Sequence, residues 1–253
     1  MTHTIQSLSR LAWRGAVDAL YPHACATCDA AVTEPGLCPA CWRDMPFGRG
    51  DVCPVCATPQ AGAIDGPCDA CRASPPPWDD GVAALRYEGA GRGFALALKH
   101  ADRTRHAPLA ADWLARRLRG TAGPGTLVVP VPLHPLRLLT RRYNQSAEIG
   151  RHLARLCGAD HAPRTLVRTR RTAPQDHRTR ADRFANQAGA FRAAVGVEGR
   201  HVVLVDDVMA SGATMHHCAL ALRQAGATRI TVAALARVAS DRAGAITSPH
   251  PTS

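Results

Sequence analysis

The chain has 253 residues, of which 46% are hydrophobic, and a formal charge of +11. That length and apolar share predict one main domain with a buried core plus a small accessory module, and they exclude a chain disordered throughout. No run of about 18 apolar residues occurs, and Arg10, Arg14 and Asp18 interrupt the first segment, so neither membrane insertion nor a secretory signal is expected and the expected location is the cytoplasm.

In chain order, Leu8, Leu11, Ala12, Ala16 and Leu20 recur at helical spacing and predict a packing helix within residues 1–24. Residues 25–73 then hold eight of the ten cysteines as four C-x2-C pairs: Cys25 and Cys28, Cys38 and Cys41, Cys53 and Cys56, Cys68 and Cys71. Without an export signal such pairs indicate metal rather than disulfides. Two pairs together complete a closed four-thiolate shell, so two structural Zn2+ ions are expected, with an iron–sulfur cluster as the alternative. Intervals of 9, 11 and 11 residues favour sequential pairing of the C-x2-C turns and leave an interleaved scheme open. Large apolar side chains are few here, so metal must supply much of the folding free energy.

Charge separates this module from the rest. Residues 25–80 carry 8 acids against 3 Arg, whereas residues 81–253 carry 26 basic against 11 acidic side chains, a net of +15. An acidic module is poorly suited to phosphate contacts, so any nucleic-acid surface is expected in the C-terminal two thirds. The Pro-rich stretch at 74–80 is expected to be a stiff linker, 81–240 the main domain, and 241–253 a disordered tail.

From residue 81 strand-like runs alternate with helical patterns: 82–87, helices near 91–99 and 106–119, 126–131, a helix near 143–156, 165–169, 201–207, a helix near 213–225, and 229–237. The alternation predicts an α/β domain with a parallel sheet whose ligands bind at the carboxyl ends of the strands. The sharpest signal is VVLVDDVMASGATM at 202–215, an apolar strand running into Asp206 and Asp207, then the small-residue loop Ala210, Ser211, Gly212, Ala213 and Thr214 and a helix. Loop N–H groups and a helix N-terminus cradle a phosphate, while adjacent carboxylates accept hydrogen bonds from two ribose hydroxyls. Ribose 5-phosphate fits that pattern. The plain alternative is a strand end with an Asp helix cap.

This stretch resembles the phosphoribosyl pyrophosphate (PRPP) signature of type I phosphoribosyltransferases. With VVPVPLHPLRLLTRRYNQSAEIG at 128–150, RTRRTAPQDHRTRADRFANQAGAF at 168–191, RYEG at 86–89 and LKH at 98–100, the chain resembles the ComF family over about residues 20–238. That resemblance implies a double zinc-ribbon module joined to a type I phosphoribosyltransferase fold. It further implies a pyrophosphate loop at Val131, Pro132, Leu133 and His134 with Arg141 behind it, and a cationic flap holding Arg168, Arg171, Gln175, Arg180 and Arg183.

The implied ligand is PRPP with Mg2+, and the implied role lies in natural competence, with single-stranded DNA and proteins of the DNA-uptake machinery as partners. A nucleobase salvage transferase and a non-catalytic PRPP sensor or DNA-binding adaptor are the competing expectations. Nothing in the sequence identifies a phosphoribosyl acceptor.

Overall fold

Apolar runs at 202–205 and 230–236 are buried throughout, which is what strands covered on both faces require, and they form the centre of the sheet. The structure, a computed structural model, describes residues 23–48, 50, 52–60, 66–98, 106–133, 143–170, 179–194 and 196–239. The expected helix near 6–20 and the tail at 241–253 lie outside the described residues.

The chain forms two compact units, Met1–Met45 and Pro46–Ser253. In the first, β1 (His23–Ala24) pairs antiparallel with β2 (Ala31–Val32), and α1 (Pro39–Asp44) follows, with Pro39 in its first turn.

The second unit begins with α2 (Asp69–Ala73), β3 (Asp80–Arg86), α3 (Gly89–Ala97), α4 (His106–Arg117) and β4 (Leu127–Pro130). It continues through α5 (Gln145–Cys157), β5 (Asp160–His161), β6 (Leu166–Arg168), α6 (Arg180–Gln187) and β7 (Phe191–Ala193), and ends with β8 (His201–Met209), α7 (Ala213–Gln224) and β9 (Arg229–Arg237). Its five-stranded sheet has the order β3-β9-β8-β4-β5, and every pairing is parallel. This is the expected α/β parallel-sheet architecture. Helix α5 buries Ile149, Gly150, Leu153 and Ala154, one stripe at helical spacing, and it packs against β4 and β8.

Three elements differ from the sequence expectation. The run near 165–169 does not join the parallel sheet: β6 pairs antiparallel with β7 in a separate ribbon. Strand β8 continues two residues past the paired acids, because β9 beside it is equally long and pairs with it as far as Met209↔Arg237. Within the flap segment, residues 180–187 form α6, started by a Thr179–Asp182 capping box.

From β4 the chain passes outward to β5 on one side, while β8 lies on its other side. The strand order therefore reverses between β4 and β8, which is where open α/β sheets bind ligands, above the carboxyl ends. Pairing of β4 with β8 stops at Pro130↔Val205, so Asp206 to Met209 rise beyond the end of β4 beside the 131–133 segment.

Candidate functional site

The eight paired cysteines form two clusters, Cys25, Cys28, Cys38 and Cys41, and Cys53, Cys56, Cys68 and Cys71, with all four sulfurs of each within 4.8 Å of one another. Pairing is sequential. Each cluster is built the same way: a knuckle, then a short helix whose N-cap is the third cysteine, Cys38 or Cys68. The residue after the second cysteine turns left-handed in both, Asp29 at φ 59° and Ala57 at φ 55°. Backbone N–H groups point at sulfur in matching places, Cys38 N to Cys25 Sγ and Cys68 N to Cys53 Sγ, both at 3.3 Å.

The donor set fits zinc. A tetrahedral ion with Zn–S near ~2.3 Å puts its sulfurs about 3.8 Å apart, and the Cys28–Cys38 and Cys56–Cys68 sulfurs are each 3.7 Å apart. A cluster of several irons holds its thiolates farther apart.

The second cluster is fastened to the sheet. Three consecutive carbonyls of its Cys53–Cys56 knuckle accept bonds from the sheet and the segment leading into it: Gly81 N to Pro54 O at 2.9 Å, Trp78 Nε1 to Val55 O at 2.7 Å, and Arg237 Nε to Cys56 O at 2.9 Å. Gly81 allows this approach, since a Cβ there would lie 2.5 Å from Val55 O and 2.9 Å from Val232 Cγ2. A Gly81→Ala substitution is therefore expected to cost about 1–3 kcal/mol, because a backbone oxygen cannot step aside as a flexible side chain does. Thermal melting of the zinc-loaded protein checks it.

At the sheet's open end, Asp206 and Asp207 are both half-buried. Asp206 Oδ1 accepts from Ser146 Oγ at 2.8 Å and from Asp207 N at 3.0 Å, and Asp207 Oδ1 accepts from Val208 N at 2.7 Å. Ser146 sits in the first turn of α5. Asn144 caps that helix, accepting from Ser146 N and Ala147 N, and donates to Val131 O at 3.0 Å, which fixes α5 against the 131–133 segment. Ser146 is the functional side chain that the sequence reading passed over; the segment around it had been singled out, the hydroxyl had not.

After β8 the loop Ala210–Ser211–Gly212 leads into α7. Its N-cap is Gly212, at φ 80°, so no Asp caps this helix and the plain alternative fails. Unlike α5 and α6, α7 has no side-chain cap, only a long 3.4 Å bond from Ala213 N to Ser211 Oγ. Its first-turn N–H groups, including those of Ala213 and Thr214, have no acceptor within the helix, as at any helix N-terminus. The missing side chain of Gly212 also makes room beneath the loop, where a Cβ would meet Met209 Cε at 3.3 Å and Trp78 Cη2 at 3.7 Å.

Of the flap residues, Arg168 lies at the end of β6, with Nη2 donating to Gln187 Oε1 at 3.0 Å and its guanidinium 5.1 Å from the Phe191 ring centre. Burial pushes the thiol of Cys218, on α7, above its ordinary range. Arg183 is buried on α6, one turn before Gln187. His217 Nε2 lies 2.9 Å from Phe184 O, tying α6 to α7. Val131, Pro132 and Leu133 stand at the carboxyl end of β4; His134, Arg141, Arg171, Gln175 and the Arg180 side chain lie outside the described residues. Among the described residues no helix is long and apolar enough to cross a membrane.

The double zinc ribbon domain family matches residues 16–72 and the phosphoribosyl transferase domain family residues 144–246. The DNA utilization protein YhgH of Salmonella typhi is 33% identical over 225 residues, which cover 81% of this chain and 99% of that protein. The Escherichia coli protein of that name is 32% identical over the same shares. Competence protein F of Haemophilus influenzae is 34% identical over 113 residues, 44% of this chain and 49% of that protein.

Proposed function

Because the chain belongs to the ComF family of YhgH-like DNA utilization and competence proteins, we propose that it is a cytoplasmic, PRPP-binding, phosphoribosyltransferase-like protein that serves DNA uptake or use. The observation that carries this reading is the pair Asp206–Asp207 at the reversal point of the sheet, followed at the end of the same strand by a small-residue loop and a helix with no side-chain cap. In this reading residues 81–240 are the transferase-like domain and the double ribbon at 25–73 is its accessory.

The acids accept the 2- and 3-hydroxyls of the ribose, with Ser146 holding Asp206 in place, and the 210–214 loop takes the 5-phosphate. Val131 to Leu133 face the pyrophosphate end, and Arg168 supplies positive charge from the flap side. Mg2+, bound with PRPP, contributes neutralisation of the departing pyrophosphate. Transfer at the ribose C1 needs no protein nucleophile, so the protein's part is positioning and charge stabilisation. Titration calorimetry with PRPP and Mg2+ tests the reading, and a protein that ignores PRPP refutes it. Turnover with any of a panel of nucleobases makes the protein a transferase; binding without turnover makes it a sensor.

The basic C-terminal part is assigned the single-stranded DNA. The ribbon's Arg72 is already engaged by Asp69 and Pro67 O, so Arg43→Ala with Arg72→Ala is expected to leave oligonucleotide affinity within about twofold, while affinity of the full chain falls steeply as salt rises. A loss of ~tenfold or more in that double variant at constant salt overturns the assignment.

A further inference from the structure

We propose that the second four-cysteine centre is a positioning device for the phosphate loop, so that affinity for a phosphate ligand depends on metal at Cys53, Cys56, Cys68 and Cys71 and not on metal at the first centre. This rests on the reading of residues 210–214 as the phosphate loop.

Two side chains make the connection. Arg237 ends β9 and is buried, and its guanidinium spans from the metal knuckle to the loop: Nε donates to Cys56 O at 2.9 Å, while Nη1 donates to Met209 O at 2.9 Å, Ala210 O at 2.6 Å and Val238 O at 2.7 Å. Ala210 is the first residue of the loop. Trp78 makes the second link, bonded through Nε1 to Val55 O while its ring lies under Gly212, the α7 cap. Each link starts on a residue within the Cys53–Cys56 knuckle and ends on the backbone that would hold the phosphate.

A bound metal fixes both ends of that knuckle through Cys53 and Cys56, which fixes the Val55 and Cys56 carbonyls in turn. Without it nothing holds Cys53 and Cys56 to Cys68 and Cys71, and the knuckle loses the geometry that Trp78 and Arg237 read. Arg237 then loses its Cys56 carbonyl, and the loop loses its tie to the ribbon. A cavity of about 500 Å³ lies between the two, lined by Cys56, Trp78, Met209, Ser211 and Arg237 among others, so a released loop has room to move.

The test uses the full chain loaded with zinc. Arg237→Lys keeps the charge and loses the fork; Trp78→Phe keeps the ring and loses the N–H. Both are expected to retain two zinc ions and yet to bind PRPP with Mg2+, and inorganic phosphate, at least about tenfold more weakly, with faster hydrogen exchange across residues 209–216. Cys68→Ser with Cys71→Ser, which gives up the second zinc, should show the same weaker binding and faster exchange, and Cys25→Ser with Cys28→Ser, which gives up the first, should match wild type in both. If the Cys68 and Cys71 variant does not fold, the Arg237 and Trp78 variants decide. Unchanged affinity and unchanged exchange in both overturn the proposal. A wild type that binds neither ligand overturns the PRPP reading instead, and the exchange measurement, which needs no ligand, still decides whether the ribbon positions the loop.

Discussion

Replacing Asp206 and Asp207 together by Ala is expected to weaken PRPP binding by ~2–4 kcal/mol, about 30- to 700-fold, while inorganic phosphate binds within about twofold of wild type. In the proposed reading each acid accepts from one ribose hydroxyl, and each lost bond is worth about 1–2 kcal/mol. The cradle should survive the change because it is held from elsewhere. Bonds to the two carboxylates come from Ser146 Oγ and from the Asp207 and Val208 amides, whereas the loop is tied to Arg237 and lies over Trp78 and Met209. Calorimetry of the two ligands against wild type and double variant separates the acids' contribution from the loop's. Equal loss for PRPP and phosphate would mean that the acids support the loop rather than the ribose, and no loss for either would remove them from the site.

What the sequence made legible follows from the range of the interactions concerned. The C-x2-C turns and the strand, loop and helix of the Asp206-to-Thr214 stretch are continuous in the chain, so their spacing shows in the sequence. The cysteine pairing was legible as a preference: intervals of 9, 11 and 11 residues favour the sequential scheme that the structure shows and leave an interleaved one open, which the sulfur clusters and the short helices beginning on Cys38 and Cys68 decide. The end of β8 was placed at Asp207 on the ground that charge ends a strand, but pairing is a backbone property and continues while the neighbouring strand lasts.

Two further elements were hidden by composition. Helix α6 is too polar for a hydrophobic stripe to show, although Thr179 and Asp182 carry the spacing of a capping box. Arg237 had a signal as well, as the one charge at the C-terminal end of a nine-residue strand whose other residues from Ile230 onward are all buried. Its partners at Cys56 and Ala210 are far off in sequence, and only the fold could supply them.

The two metal centres are expected to differ sharply when each is removed. Cys25→Ser with Cys28→Ser should release one zinc and leave the unfolding of the Pro46–Ser253 unit nearly unchanged, since the first cluster belongs to the other compact unit. Cys53→Ser with Cys56→Ser should release the other zinc and destabilise the large unit itself. Three knuckle carbonyls lose their fixed positions, two bonded to neutral donors and one to Arg237. At about 0.5–1.5 kcal/mol for each neutral bond and about 1.5–3 for the charged one, the loss is of order 3–6 kcal/mol. For a unit of this size that corresponds to a fall in Tm on the order of 10 °C. Elemental analysis and thermal melts of both variants measure the two effects together. Two zinc ions in wild type and one in each variant, with a large Tm change in the second variant only, is the expected pattern. Iron in the wild type, or equal Tm changes in the two variants, would contradict it, the first by replacing the metal and the second by showing that the knuckle bonds contribute nothing to the stability of the large unit.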